Sequence, residues 1–92
     1  RIVFGMVDDK DIHTVMGMLP RNAVYYFTKA DNKRAIDEHE IMRIGTELHL
    51  DAACYSDVRS AYTKALNDAS ADDFIFVGGS SYIVADFLND CV

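Results

Sequence analysis

Apolar positions along the 92-residue chain alternate between short runs at β-type spacing and longer stretches at helical spacing, four times over. Ile2 to Val7 reads as a buried strand, after which Ile12, Val15, Met16 and Leu19 recur at helical intervals until Pro20 stops the helix. Ala23 to Thr28 is a second strand. Asp37 and Glu40 form a capping-box pattern ahead of a helix whose inner face is Ile41, Ile44 and Leu48. Ala52 to Tyr55 makes a shorter strand. Val58, Ala61, Tyr62, Ala65, Leu66 and Ala69 stripe a third helix at spacings of three and four, the clearest helical signal in the chain. A fourth strand, Phe74 to Val77, leads into a closing helix, Tyr82 to Leu88, that is apolar on nearly every side and so should pack on something besides this sheet.

The order β-α-β-α-β-α-β-α predicts an α/β, Rossmann-like three-layer domain, with a mainly parallel sheet of about four strands and helices on both faces. Such sheets bind ligands beyond the carboxyl ends of their strands. Three turns place useful chemistry there: Asp8 to Asp11, Lys29 to Arg34, and Gly78 to Ser81. Whether they converge depends on strand order, which the pattern leaves open.

Composition narrows the function classes. Half of the residues are apolar, so the chain is globular. A formal charge of −6, with no basic run interleaved with aromatics, argues against a nucleic-acid partner. No signal peptide or membrane-length apolar run is present, so no membrane partner is expected. Cys54 and Cys91 lie far apart without metal-like spacing, the pattern of a reduced, cytoplasmic protein in which Cys54 is buried. The chain opens almost inside a strand and without methionine, so we read residues 1–92 as a single domain that is a piece of a longer protein.

Phe74-Ile75-Phe76-Val77-Gly78-Gly79-Ser80-Ser81 is the most informative stretch. An apolar strand runs into two glycines and two hydroxyls that open a helix, where exposed amides and the positive dipole end favour a phosphate or carboxylate. The same letters serve equally as a tight turn with Ser80 or Ser81 as the helix cap. Asp8-Asp9-Lys10-Asp11 offers three carboxylates and an ammonium, suited to a metal or an anionic ligand, or simply to the dipole of the helix that follows. Lys29-Ala30-Asp31-Asn32-Lys33-Arg34 holds the concentrated basic residues, and Arg34 has the fork that grips a carboxylate; an ordinary solvated loop reads the same way. His13, His39 and His49 have no i, i+4 partner or neighbouring cysteine, so no metal site and no catalytic triad is expected. The four methionines fit core filling. Neither a Gly-x-x-x-x-Gly-Lys-Ser/Thr loop nor a Gly-x-Gly-x-x-Gly turn occurs.

Taken in order, Phe4-Gly5-Met6-Val7-Asp8-Asp9-Lys10-Asp11, Tyr25-Tyr26-Phe27-Thr28-Lys29-Ala30 and Phe76-Val77-Gly78-Gly79-Ser80-Ser81 resemble the carboxyl-terminal domain of folylpolyglutamate synthase/dihydrofolate synthase, nearly end to end. That family sits with the Mur ligases. The resemblance implies an ATP- and Mg2+-dependent enzyme that joins L-glutamate to dihydropteroate or folate through an acyl phosphate. A central domain absent from this stretch would carry the phosphate loop and metal site. This piece would supply the amino-acid side of the cleft and be inert alone, with no catalytic residue of its own.

Carried over residue by residue, Ser80 matches the serine of the family's Gly-Ser turn and is implied to bind the amino acid, with Ser81 beside it. Asp31-Asn32-Lys33-Arg34 resembles an Asp-Asn-Pro-Arg motif of the muramyl ligases, with lysine in place of proline, and implies that Asn32 and Arg34 contact the added amino acid. Asp9, Lys10 and Asp11 match an Asp-Lys-Asp run and, with Gly78 and Gly79, are given a site-shaping role. The alternatives are a Mur ligase domain acting on a peptidoglycan precursor, or a non-catalytic Rossmann-like interaction module. An uncovered sheet edge would also let such a piece self-associate.

Overall fold

The computed structural model describes residues 1–8 and 11–92. Its elements follow the expected alternation: β1 (Ile2–Phe4), α1 (Ile12–Gly17), β2 (Val24–Phe27), α2 (Glu38–Glu47), β3 (Asp51–Cys54), α3 (Val58–Asp68), β4 (Phe76–Gly78) and α4 (Ser81–Asp90). The strands form one sheet in the order β3-β2-β1-β4, and every pairing is parallel. Ile2 stands opposite Tyr25 and Phe76, and Phe4 opposite Phe27 and Gly78.

That register sorts side chains by the period of two. Ile2, Phe4, Tyr25 and Phe27 point to one face, where Met16 of α1 and Ile41 and Ile44 of α2 cover them. Val3 and Tyr26 point to the other face, onto Ala61 and Ala65 of α3. A third cluster of Ala30, Val58 and Ile83 fastens the loop after β2 to α3 and α4. Helices on both faces make the three layers of a Rossmann-like α/β fold.

Several boundaries depart from the sequence reading for identifiable reasons. β1 ends at Phe4 rather than Val7. A Cβ on Gly5 would lie 2.5 Å from the Thr28 carbonyl, and beyond this crowded point the chain turns to run antiparallel with residues 34–36. Val7 bridges Ala35 there, and Ile36 N–H donates to Met6 at 2.8 Å. β4 begins at Phe76 rather than Phe74; ahead of it the Arg1 amino group donates to the Phe74 carbonyl at 3.1 Å without extending the strand, and Phe74 is left 78% exposed. α1 closes early through i→i−3 bonds from Met18 and Leu19, which tighten its last turn before Pro20.

The capping box at α2 does not form. Asp37 accepts the His39 N–H at 2.8 Å, while the Glu40 carboxylate is drawn away to Arg43, which also reaches Glu47. α4 extends from Ser81 to Asp90 and, as its all-round apolar pattern required, leaves Val84 and Leu88 exposed. Both cysteines are free and half-buried, so Cys54 is less deeply covered than its strand suggested. Among the described residues, no helix is long and apolar enough to cross a membrane.

Candidate functional site

The strand order decides where the sheet opens. β2 and β3 lie on one side of β1 and β4 on the other, so the connections from β1 and into β4 depart to opposite faces. The carboxyl ends of β1 and β4 therefore form the switch point at which doubly wound sheets hold ligands. Gly5, Thr28 and Gly79 meet here. Gly79 has φ of 101°, and a Cβ on it would lie 2.3 Å from the Gly5 carbonyl oxygen and 2.9 Å from the Phe4 ring. Glycine at 79 is thus required by backbone shape and by close packing against β1. Thr28 is completely buried, and its Oγ1 has no hydrogen-bond partner among the described residues.

Ser80 occupies the N-cap of α4, where its hydroxyl accepts the Ile83 N–H at 3.3 Å. A serine hydroxyl that accepts one bond keeps its own proton for another acceptor. Capping and ligand contact are therefore compatible. Ser81 is the first helical residue and is exposed.

The loop after β2 divides its residues between two places. Arg34 lies beside the loop after β1: its carbonyl accepts the Asp8 N–H at 2.6 Å, and its side chain is exposed. Asn32 folds back locally, its Oδ1 accepting the Arg34 N–H at 2.8 Å, so in this structure its side-chain carbonyl shapes the loop. Asp31 is tied to α4 by its N–H, which donates to Asp86 at 2.7 Å.

Between this loop and α4 lies a cleft of about 520 Å³. Lys29, Asn32 and Lys33 line one side, and Ser56, Asp57, Asp86 and Asp90 the other. Two lysines face four aspartates, counting Asp31, so the cleft presents both signs of charge rather than the positive surface that the loop's sequence suggested. A molecule carrying both an ammonium and carboxylates complements such a surface. Asp57 is held below the ordinary carboxylate range, chiefly because it accepts the Ser60 backbone N–H that it caps. Neither Arg34 nor Ser80 lines this cleft.

Asp9 and Lys10 lie outside the described residues. Asp11 sits at the N-cap of α1, its carbonyl accepting from Val15 at 3.0 Å. One cluster escaped the sequence reading. Asp37, Glu38 and His39 each bring a ligand-type atom within 4.8 Å of the others at the start of α2. The histidines have no i, i+4 partner to point to it; the signal in the chain is three consecutive side chains of metal-binding type at a helix cap.

No protein-family model matches the chain, and no curated protein sequence matches it. Solved structures do. The chain is similar to the bifunctional folylpolyglutamate synthase/dihydrofolate synthase of Yersinia pestis. The likeness to that enzyme, complexed with AMPPNP and Mn ion, covers 97% of this chain at 27% identity with a TM-score of 0.79, and the ligand-free form gives the same values. E. coli FolC in complex with DHPP and ADP matches in fold over 97% of the chain, with 23% identity and a TM-score of 0.76. This chain spans only 22% and 21% of those two proteins. The expected resemblance is thereby supported as a likeness in sequence and fold to one part of a folylpolyglutamate synthase/dihydrofolate synthase.

Proposed function

We infer that residues 1–92 are part of the carboxyl-terminal domain of a larger ATP-dependent ligase, one that adds L-glutamate to dihydropteroate or a folate through an acyl phosphate. The observation that carries this reading is the 27% identity spread over 97% of the chain to a folylpolyglutamate synthase/dihydrofolate synthase, in the same fold. The β1/β4 switch point and the mixed-charge cleft beside α4 support this reading as two surfaces suited to an amino acid. Arg34, Asn32, Ser80 and Ser81 are its proposed contacts.

Among the described residues the glycine turn is pressed against Gly5 and Phe4 and has no Gly-x-x-x-x-Gly-Lys-Ser/Thr loop, which supports assigning the sites for ATP and magnesium mostly to the central domain of the larger enzyme. What this chain supplies is placement. Holding the glutamate amine in line with an activated carboxylate and closing the cleft to water lowers the barrier without any group here acting as acid or base.

Assay of the protein encoded by the full reading frame tests the proposal. Release of phosphate from ATP should require L-glutamate together with dihydropteroate or a reduced folate, and Arg34→Ala should raise the glutamate KM much more than the ATP KM. Activity on a UDP-muramyl precursor instead would assign the chain to a cell-wall ligase, and no ligase activity with either acceptor would leave an interaction module. The excised 92-residue chain should show neither ATP hydrolysis nor glutamyl product.

A further inference from the structure

The first turn of α2 carries an unresolved polar problem. Glu38 is only 6% exposed, and its Oε1 has no hydrogen-bond partner among the described residues. Burying a carboxylate oxygen without a partner is costly. Neighbouring side chains stand around it. A carboxylate oxygen of Glu38, one of Asp37 and an imidazole nitrogen of His39 lie within 4.8 Å of one another. Asp37 Oδ1 is already 2.9 Å from His39 Nδ1.

The geometry points to a site for a single divalent transition-metal ion, of the zinc class, at the N-terminus of α2, with Asp37, Glu38 and His39 as ligands. One imidazole nitrogen and two carboxylate oxygens suit zinc, cobalt or nickel rather than magnesium or calcium, and three protein ligands leave room for water. Donors held tetrahedrally at about 2.0–2.2 Å from zinc stand roughly 3.4 Å apart, so side-chain shifts of about 1 Å close the set. Asp37 and His39 are exposed and have that freedom.

Two influences oppose a cation here. The helix start carries about half a positive charge, and the Lys29 ammonium acts on the Asp37 carboxyl. Two carboxylates outweigh their sum when a divalent ion is the ligand. Bound there, the ion would give Glu38 its missing partner and pin the point where the loop carrying Arg34 enters α2.

Titration of the 92-residue chain with Zn2+ by calorimetry, and with Co2+ by visible absorption, tests the site. We expect saturable binding of one ion. Glu38→Gln and His39→Ala should each weaken it by about tenfold or more, while His13→Ala and His49→Ala leave it unchanged. Circular dichroism checks that each variant is folded, and His39→Ala, altering a side chain 77% exposed, remains decisive if Glu38→Gln is not. Absence of saturable binding, affinity unchanged in His39→Ala, or loss of binding in His49→Ala would overturn the assignment.

Discussion

Gly79 combines a backbone angle of 101° with a carbonyl oxygen 2.3 Å from where a side chain would begin, so its replacement is penalised twice. Strain in that region alone costs about 1–3 kcal/mol. Gly79→Ala should therefore destabilise the domain by at least that much in urea unfolding, and a variant as stable as wild type would show that the turn relaxes freely. Ser80, next in the chain, separates two roles by readout. If its hydroxyl also donates to the glutamate carboxylate, Ser80→Ala in the full-length enzyme should cost about 1.5–3 kcal/mol of binding, roughly ten- to a hundredfold in apparent affinity. A cap alone predicts about 1 kcal/mol of lost stability with glutamate kinetics unchanged. The Gly-Gly-Ser letters announced a tight strand-to-helix turn. They did not reveal that Gly79 is pressed against Gly5, because that contact joins segments more than seventy residues apart.

At the scale of elements, side-chain caps and tertiary packing fix helix starts more than propensity does. Asp57 accepts the Ser60 N–H at 2.7 Å and Asp37 the His39 N–H at 2.8 Å, and both carboxyls are held below their ordinary range, chiefly by these backbone bonds. A carboxyl whose folded value is depressed contributes stability that is fully present above its unfolded value. That contribution is lost as pH falls through the folded one. Acidifying from neutral pH into and below the carboxylate range should thus weaken the domain. Asp57→Ala should cost about 1 kcal/mol at neutral pH and flatten part of the acid dependence. Urea midpoints at both pH values check this, and an unchanged acid slope would remove Asp57 as a contributor. The α2 and α3 helices were legible because their stripes repeat over ten and eleven residues. The capping box was misread because Arg43, one turn further on, competes for Glu40.

Considered whole, the described residues form a sheet with β3 and β4 at its two edges, and the β4 side carries Phe74 and Phe76, 78% and 52% exposed. An uncovered apolar edge is a template for strand pairing. The excised chain should self-associate with rising concentration in sedimentation experiments, and Phe76→Lys should shift it to monomer. A wild-type chain that stays monomeric at high concentration would sink that expectation. Sequence by itself determined the number, kind and order of the elements and the three layers. Each strand and helix writes its burial into a local period, and the alternation Val3 against Phe4, or Tyr26 against Phe27, is visible without knowing what covers either face. Tertiary structure alone decided that β1 lies between β2 and β4, and with that the switch point, the pairing of the loops at Asp8 and Arg34, and the cleft where Lys29 and Lys33 face Asp86 and Asp90. Those relations depend on which way each crossover carries the chain over the sheet. Period-two and period-3.6 patterns record only which side of an element is dry, so the choice of neighbour is made when the whole core closes.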